Sequence, residues 1–190
     1  MSAIDHKWLW LIVLILGVIG ALIVSLNAPM EPLLGESAYA IRGAVHGTAA
    51  GLLMVTTTIG FFQGYRLLSG TVHQVAELHI GSVLNATIVL LTILSGNWLY
   101  IPYRAAGGPR SHFLEHAPEI HKVFFEFKEF AALFLLPMAV AASWILVYYG
   151  DVVIRRKDLR TLVAVLLTLA FCDFLVVFGL GAAITKLKAV

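Results

Sequence analysis

Residues 162–180 read LVAVLLTLAFCDFLVVFGL, and among these side chains only Asp173 carries a formal charge. A helix needs about 20 consecutive, mostly apolar residues to cross the hydrocarbon core of a membrane. In lipid, every backbone amide and carbonyl must find its partner inside the protein. A run of this length and composition is therefore expected to form a transmembrane α-helix.

Four further apolar runs of similar length are spread along the chain. The five expected helices lie at about 8–26, 41–62, 78–99, 121–149 and 161–181. The segments between them are too short to form independent domains. The sequence therefore predicts an all-α fold, in which residues 1–190 form one integral membrane bundle of five transmembrane helices.

The composition excludes several classes of protein. Hydrophobic residues make up 60% of the chain and charged residues 13%, whereas soluble domains have about 45–50% and roughly 25%. A soluble enzyme and a nucleic-acid-binding domain are thus excluded. The single cysteine, Cys172, lies within an apolar run, so no disulfide framework is expected.

The number of basic residues is similar on the two sides of the membrane, so the predicted orientation depends on where they are densest. We define side A as the side of the N-terminus and side B as the opposite side. The densest basic cluster lies at residues 155–160, in a short side A loop, and short loops carry most of the topogenic signal. We expect a multi-pass protein of a bacterial inner membrane with its N-terminus in the cytoplasm.

Two of the seven histidines are candidate haem ligands. His46 and His121 each lie near the start of a helix that enters from side B, so they belong to the same leaflet. Two imidazoles on different helices can supply both axial ligands of a haem iron, and bundle cores are common sites for such cofactors. The alternative is that the glycines at 43, 47 and 51 mark only close helix packing.

Two neighbours of His121 fit the same hypothesis. Phe125 is expected to stack on the porphyrin, and Lys128 is expected to pair with a haem propionate near the membrane surface. His79 enters from side A and is a possible ligand at the other face, so a second haem b is not excluded.

Two segments resemble helices of small membrane b-type cytochromes. One is Val45-His46-Gly47 followed by an apolar run to Phe61-Phe62-Gln63-Gly64-Tyr65-Arg66; the other is Leu78-His79-Ile80-Gly81 followed by an apolar run to Ser95-Gly96-Asn97-Trp98-Leu99-Tyr100. The resemblance covers roughly the second to fourth helices. It implies electron transfer linked to membrane quinone, with histidines near helix ends as haem ligands. Two-haem members need four ligating histidines, and the fifth helix has none.

A second hypothesis uses many of the same residues to bind Cu, Zn or non-haem Fe. The candidate metal ligands are His46, His112, His116, His121, Glu126 and Glu129. The alternative for the 112–121 segment is a water-exposed interfacial loop. Its spacing matches no specific metal-binding motif.

Asp173 is a candidate proton relay or quinone-facing group, because a carboxylate inside a membrane helix is costly. The alternative is a neutral acid hydrogen-bonded to Asn85 or Thr87. The polar stripe that includes Asn85, Thr92 and Ser95 lies opposite His79 on its helix. We therefore expect this stripe at a helix or subunit interface rather than in a haem pocket.

The leading functional hypothesis is a b-type cytochrome subunit of a membrane oxidoreductase complex, rather than a stand-alone catalyst. Its partners would be membrane lipid, quinone and other redox subunits. Alternatives are a metal-binding membrane protein and a scaffold subunit without a cofactor.

Overall fold

The structure is a computed structural model that describes residues 38–187, except for the side chains of Ala38 and Glu77. The predicted helix at 8–26 and the N-terminal His6 lie outside the described residues. Within this part of the chain, we number the α-helices in order. They are α1 (Ala38–Leu68), α2 (Ala76–Arg104), α3 (Pro109–His116), α4 (Glu126–Tyr149), α5 (Val152–Arg155) and α6 (Lys157–Leu187). A π-helical segment, Ile120–Phe125, leads directly into α4.

Four stretches are long and apolar enough to cross a membrane: Tyr39–Leu68, Leu78–Arg104, Ile120–Tyr149 and Lys157–Leu187. These four confirm the helices expected at 41–62, 78–99, 121–149 and 161–181. Most extend further than the apolar runs, because polar residues at the ends continue the helical hydrogen bonding into the interface. The described chain is thus an all-helical, multi-pass membrane protein.

The four long helices form a ring in which α1 packs against α2 and α6, and α4 packs against the same two. Helices α1 and α4 therefore lie on one diagonal of the bundle and α2 and α6 on the other. Short connections make successive helices antiparallel. With side A taken in the structure as the end that carries the 155–160 loop, helices α1 and α4 run from side B to side A, and α2 and α6 run back.

Apolar side chains fill the bundle in three clusters. The cluster near side A includes Leu67, Val75, Leu78, Leu146 and Val163. The middle cluster includes Leu53, Val89, Leu135, Ala139 and Phe174. The cluster near side B is built on Tyr103, Phe113 and Ile184.

The glycines of α1 fall into two groups that differ in how closely another helix approaches them. A Cβ atom at Gly64 would lie 3.4 Å from Cα of Ala164, so α1 and α6 are in close contact there. A Cβ atom at Gly43, Gly47 or Gly51 would meet nothing within 4 Å among residues 38–187. These three glycines therefore do not pack α1 against α2 or α6. The close helix packing that the small-residue pattern suggested is not found at these positions among the described residues.

Candidate functional site

One residue from each long helix lies at a common level inside the side B half of the bundle. His46 and Gly96 each lie eight residues, roughly 12 Å, from the side B ends of α1 and α2, and Gly181 lies six residues, roughly 9 Å, from the side B end of α6. Lys128 lies eight residues after Ile120, where the π-helical segment that leads into α4 begins. His46 packs on Gly96, and the stem of Lys128 packs on Gly181. We call these four residues the His46–Lys128 level.

The imidazole of His46 is held by α2. A Cβ atom at Gly96 would lie 3.1 Å from its Cε1 atom, and its Nδ1 atom lies 3.2 Å from Oγ of Ser95. The Ser95 hydroxyl donates its own proton to the Thr92 carbonyl at 3.0 Å. The serine oxygen therefore accepts from Nδ1–H, which leaves the imidazole lone pair on Nε2.

Ser95 lies at the contact between two helices, as the sequence predicted for its polar stripe. In the structure Ser95 on α2 bonds directly to His46 on α1. The sequence did not identify His46 as the partner, because the angle was measured from His79 on the same helix.

Lys128 brings a positive charge to the same level. Its Cδ atom would lie 3.8 Å from a Cβ atom on Gly181, and its Nζ atom lies 4.9 Å from the centre of the Phe125 ring. Such a cation–π contact is favourable and becomes stronger where water is excluded. The charge of Lys128 also acts on His46.

Phe125 stacks on protein rings. Its ring centroid lies 4.4 Å from that of Tyr103, with 4° between the planes, and 5.8 Å from that of Tyr100. Arg104 lies over Tyr100 at 4.9 Å. The sequence predicted that Phe125 stacks on a porphyrin, but in this arrangement Tyr103 covers one of its faces.

His121 is almost fully buried, with 2% of its surface exposed. Arg110 Nε donates to its Nε2 atom at 3.1 Å, and its Nδ1 atom lies 3.0 Å from the Tyr103 hydroxyl. A guanidinium can only donate, so Nε2 is the acceptor and Nδ1–H donates to the tyrosine oxygen. Both ring nitrogens are thus bonded within the protein.

His46 and His121 therefore have separate protein partners, in contrast to the expected pairing of the two as ligands of one haem. His46 is held by Ser95 and Gly96 on α2, and His121 by Tyr103 and Arg110. The wider turns of the π-helical segment change the angular spacing of its side chains. The prediction from sequence assumed regular α-helical geometry at residue 121, so it misjudged the direction of this side chain.

His79 links two helices in the side A half. Its Nε2 atom donates to the Leu146 carbonyl of α4 at 2.8 Å. The possible second haem ligand is thus engaged in helix packing.

The residues of the alternative metal site are spread apart. His112 and His116 are exposed on α3, with ring centroids 4.5 Å apart, and His116 Nδ1 donates to the His112 carbonyl at 3.0 Å. Glu126 is exposed, whereas Glu129 is half-buried beside the Tyr100 hydroxyl. Among residues 38–187, no group of three or more histidine, cysteine, aspartate or glutamate side chains is placed to hold a metal ion.

Asp173 does not form the hydrogen bond that one alternative required. Its Oδ2 atom and Oδ1 of Asn85 are both buried, and neither has a hydrogen-bond partner in the described part of the chain. An unpaired polar atom in an apolar bundle is costly. Asp173 thus remains a candidate proton-active group.

Sequence reasoning missed several residues of this region: Ser95, Gly96, Tyr103, Arg110 and Gly181. Glycine within a membrane helix often marks a close approach of another group, so Gly96 and Gly181 carried a usable signal. Tyr103 and Arg110 carried none, because their role depends on distances between helices.

The geometry permits a test of whether these residues fit a haem. His46 fits as an axial ligand, because its tautomer places the lone pair on Nε2. Lys128 fits as the partner of a propionate. His121 does not fit in this arrangement, because Arg110 occupies its Nε2 atom.

No protein-family model matches the chain, and no curated protein or solved structure is significantly similar to it. The resemblance to b-type cytochromes thus stays a prediction that rests on the quoted residues. The fold and the site together define a class of protein. It is a multi-pass helical membrane protein with an imidazole and an ammonium inside an apolar bundle.

Proposed function

We propose that the chain is a b-type cytochrome subunit of a membrane electron-transfer complex, with haem b bound at the His46–Lys128 level. The observation that supports this proposal best is the environment of His46. Its Nδ1–H is directed to Ser95, and its ring lies inside an apolar four-helix bundle. Ionisable residues within membrane spans are functional candidates by default.

The Ser95 bond is the kind of support that a metal-ligating histidine requires. Such a histidine almost always donates its second ring N–H to a protein acceptor, which fixes the tautomer and the ring orientation. In our proposal Nε2 of His46 would bind the haem iron, and Gly96 gives the imidazole its space. When bound, the haem supplies reversible one-electron transfer.

Lys128 contributes charge. A haem carries two propionates, and an anion within the bundle needs a cation close by. The Lys128 ammonium lies over the Phe125 ring, 4.9 Å from its centre, and Phe125 stacks on Tyr103. In our proposal it pairs with one propionate and orients the macrocycle.

The proposal assigns one haem and leaves His121 out of its ligand set. Membrane quinone and neighbouring redox subunits are the proposed electron donors and acceptors. The basic cluster Arg155, Arg156, Lys157 and Arg160 lies at the side A end, which supports side A as the cytoplasmic face of a bacterial inner membrane.

The test is a reduced-minus-oxidised spectrum of the full chain, purified from a host that makes haem. We expect a b-type spectrum and equimolar haem in the wild type. His46→Ala should abolish haem binding, and Lys128→Ala should weaken it. The matched control is His116→Ala, which removes an exposed imidazole and should leave the haem content unchanged.

Two results would overturn the proposal. One is a wild-type protein without any b-type band after haem is supplied. The other is a His46→Ala variant with full haem content. If His121→Ala instead loses the haem while His46→Ala keeps it, the axial ligand has been assigned to the wrong histidine.

A further inference from the structure

The side B half of α1 has a surface that the other described helices leave uncovered. Ala44, Gly47, Thr48 and Gly51 are exposed there, at the spacing of three and four residues that places side chains on one face of a helix. A Cβ atom at Gly47 or Gly51 would meet nothing within 4 Å among residues 38–187. We call these four residues the outer face of α1.

The side chains of this outer face are smaller than those that other helices expose. In the side B halves of the α2 and α4 spans, the exposed apolar residues are large: Leu94, Ile101, Val123, Phe124, Phe127, Phe130 and Leu133. On α6, Leu175, Val176 and Phe178 are exposed beside Gly179. Small residues are enriched where membrane helices meet, because they let the backbones approach closely. The outer face of α1 therefore has the composition of a helix contact.

Helix α1 is also the least covered of the four long helices. In its apolar 18-residue window 17% is buried, compared with 33% in each of the other three spans. Its contacts with α2 and α6 thus leave more of its surface open than those helices leave of their own. One further helix against the outer face would make up this difference.

The chain before α1 supplies such a helix. The predicted helix at 8–26 lies outside the described residues, and residues 27–37 join it to α1. These eleven residues are too few to cross the membrane again as a helix, which takes about 20 residues. The helix at 8–26 is therefore expected to end on side B, where α1 begins, and to run antiparallel to α1. Consecutive elements with short connections are commonly neighbours in space.

The sequence of the predicted helix carries small residues at a matching interval. Every fourth residue of one stripe is small: Gly17, Ala21 and Ser25. The same interval separates the glycines at 43, 47 and 51 on α1. When the two helices run antiparallel, a single register brings all three pairs of small residues together. Repeated small residues at this interval on both partners are typical of close helix packing in membranes.

We propose that the helix at 8–26 packs antiparallel on the outer face of α1, with Ala21 opposite Gly47. In this register Gly17 lies opposite Gly51, and Ser25 lies opposite Gly43, which borders the outer face. The N-terminal helix then lies outside the ring of α1, α2, α4 and α6. It covers α1 without entering the bundle that holds His46.

A tethered helix has an advantage over a second copy of the chain at this surface. Residues 27–37 keep the helix at 8–26 close to α1, and a short flexible linker gives an effective concentration of about millimolar. A second copy has to find the same face by diffusion and loses freedom of motion on binding. The outer face is therefore assigned to the helix of its own chain.

Disulfide cross-linking of the full chain in lipid nanodiscs tests this contact, and it needs no haem. Cys172→Ala first removes the native cysteine. Ala21→Cys and Gly47→Cys then place one thiol on each helix, and copper phenanthroline oxidises them. The matched control pairs Ala21→Cys with Phe130→Cys. Phe130 is exposed on α4, diagonally across the ring from α1, and lies at a similar distance from side B.

We expect the first pair to form a disulfide within one chain at least about tenfold faster than the control, because a disulfide requires Cα atoms less than about 7 Å apart. A non-reducing gel separates this product from a dimer, and peptide mass spectrometry identifies the linked residues. Gly17→Cys with Gly51→Cys should react in the same way. This second pair gives the answer if thermal unfolding shows that the first does not fold.

A substitution within the contact gives a further measurement. Gly47→Leu should slow the cross-linking of the second pair at least about tenfold, because the larger side chain keeps the helices apart. Gly47→Ala keeps a small residue and should leave the rate near that of the parent. Cross-linking of both pairs no faster than the control would overturn the proposal. Disulfides between chains in place of those within one chain would overturn it too, since they would show a second copy on the outer face.

Discussion

The ring of His46 lies directly against the backbone of Gly96. A Cβ atom at residue 96 would stand 3.1 Å from Cε1 of the imidazole and 3.4 Å from Nδ1. The absence of a side chain at residue 96 thus lets the His46 ring of α1 approach the backbone of α2 this closely. The contact also fixes the place of the imidazole inside the bundle.

Gly96→Ala is expected to destabilise the protein by about 1–3 kcal/mol, because the added methyl group overpacks the contact with His46. The free energy of unfolding in detergent measures this effect. Gly47→Ala is the matched control, since a Cβ atom there meets nothing within 4 Å among the described residues. Equal stability of the two variants would show that the imidazole can move away at no cost.

Gly64→Leu is expected to separate α1 from α6. A Cβ atom at residue 64 already reaches 3.4 Å from Cα and the carbonyl oxygen of Ala164, so a larger side chain has to displace backbone. We expect a loss of about 1–3 kcal/mol in unfolding free energy. Gly179→Leu, at an open position on α6, should be much milder; a reversed order would contradict the packing described here.

Ser143→Ala is expected to weaken the contact between α4 and α2. The Ser143 hydroxyl lies 2.8 Å from both the Ser82 carbonyl of α2 and the Ala139 carbonyl of its own helix. Hydrogen bonds between membrane helices are worth about 0.6 kcal/mol on average and up to roughly 1.7 kcal/mol. Thr168→Ala removes a bond to the Ala164 carbonyl within α6, and unfolding titrations should show a smaller loss for it.

Asp173→Leu is expected to stabilise the fold. Oδ2 of Asp173 is buried and has no hydrogen-bond partner among residues 38–187, and an unsatisfied buried polar atom costs about 1–3 kcal/mol. Thermal unfolding in detergent should therefore shift upwards, whereas Asp173→Asn should change little. A marked fall in stability for the leucine variant would mean that the carboxyl group has a structural partner.

Arg110→Ala is expected to loosen α3 from the bundle. Arg110 Nε bonds to the buried His121 at 3.1 Å and is the polar link between α3 and the π-helical segment. Hydrogen–deuterium exchange of residues 109–116 should become faster, because local opening then breaks fewer contacts. Glu115→Ala, on the exposed face of α3, should leave that exchange rate near the wild-type value.

Much of the candidate site was predictable at the level of single helices. The sequence identified His46, His121, Lys128 and Asp173 because charged or titratable side chains in apolar runs are rare. It did not identify Ser95 or Arg110 as partners of the histidines. Serines and arginines near helix ends are common, and nothing in their spacing points to a particular ring nitrogen.

The sequence by itself determined the four membrane-spanning helices between residues 38 and 187. A long apolar run in lipid can satisfy its backbone hydrogen bonds only within itself, so length and composition are sufficient to predict a spanning helix. Tertiary structure alone decided which side chains meet. His46 reaches Ser95 and His121 reaches Arg110 through the rotation and packing of helices and through a π-helical turn, which depend on contacts between residues far apart in the chain.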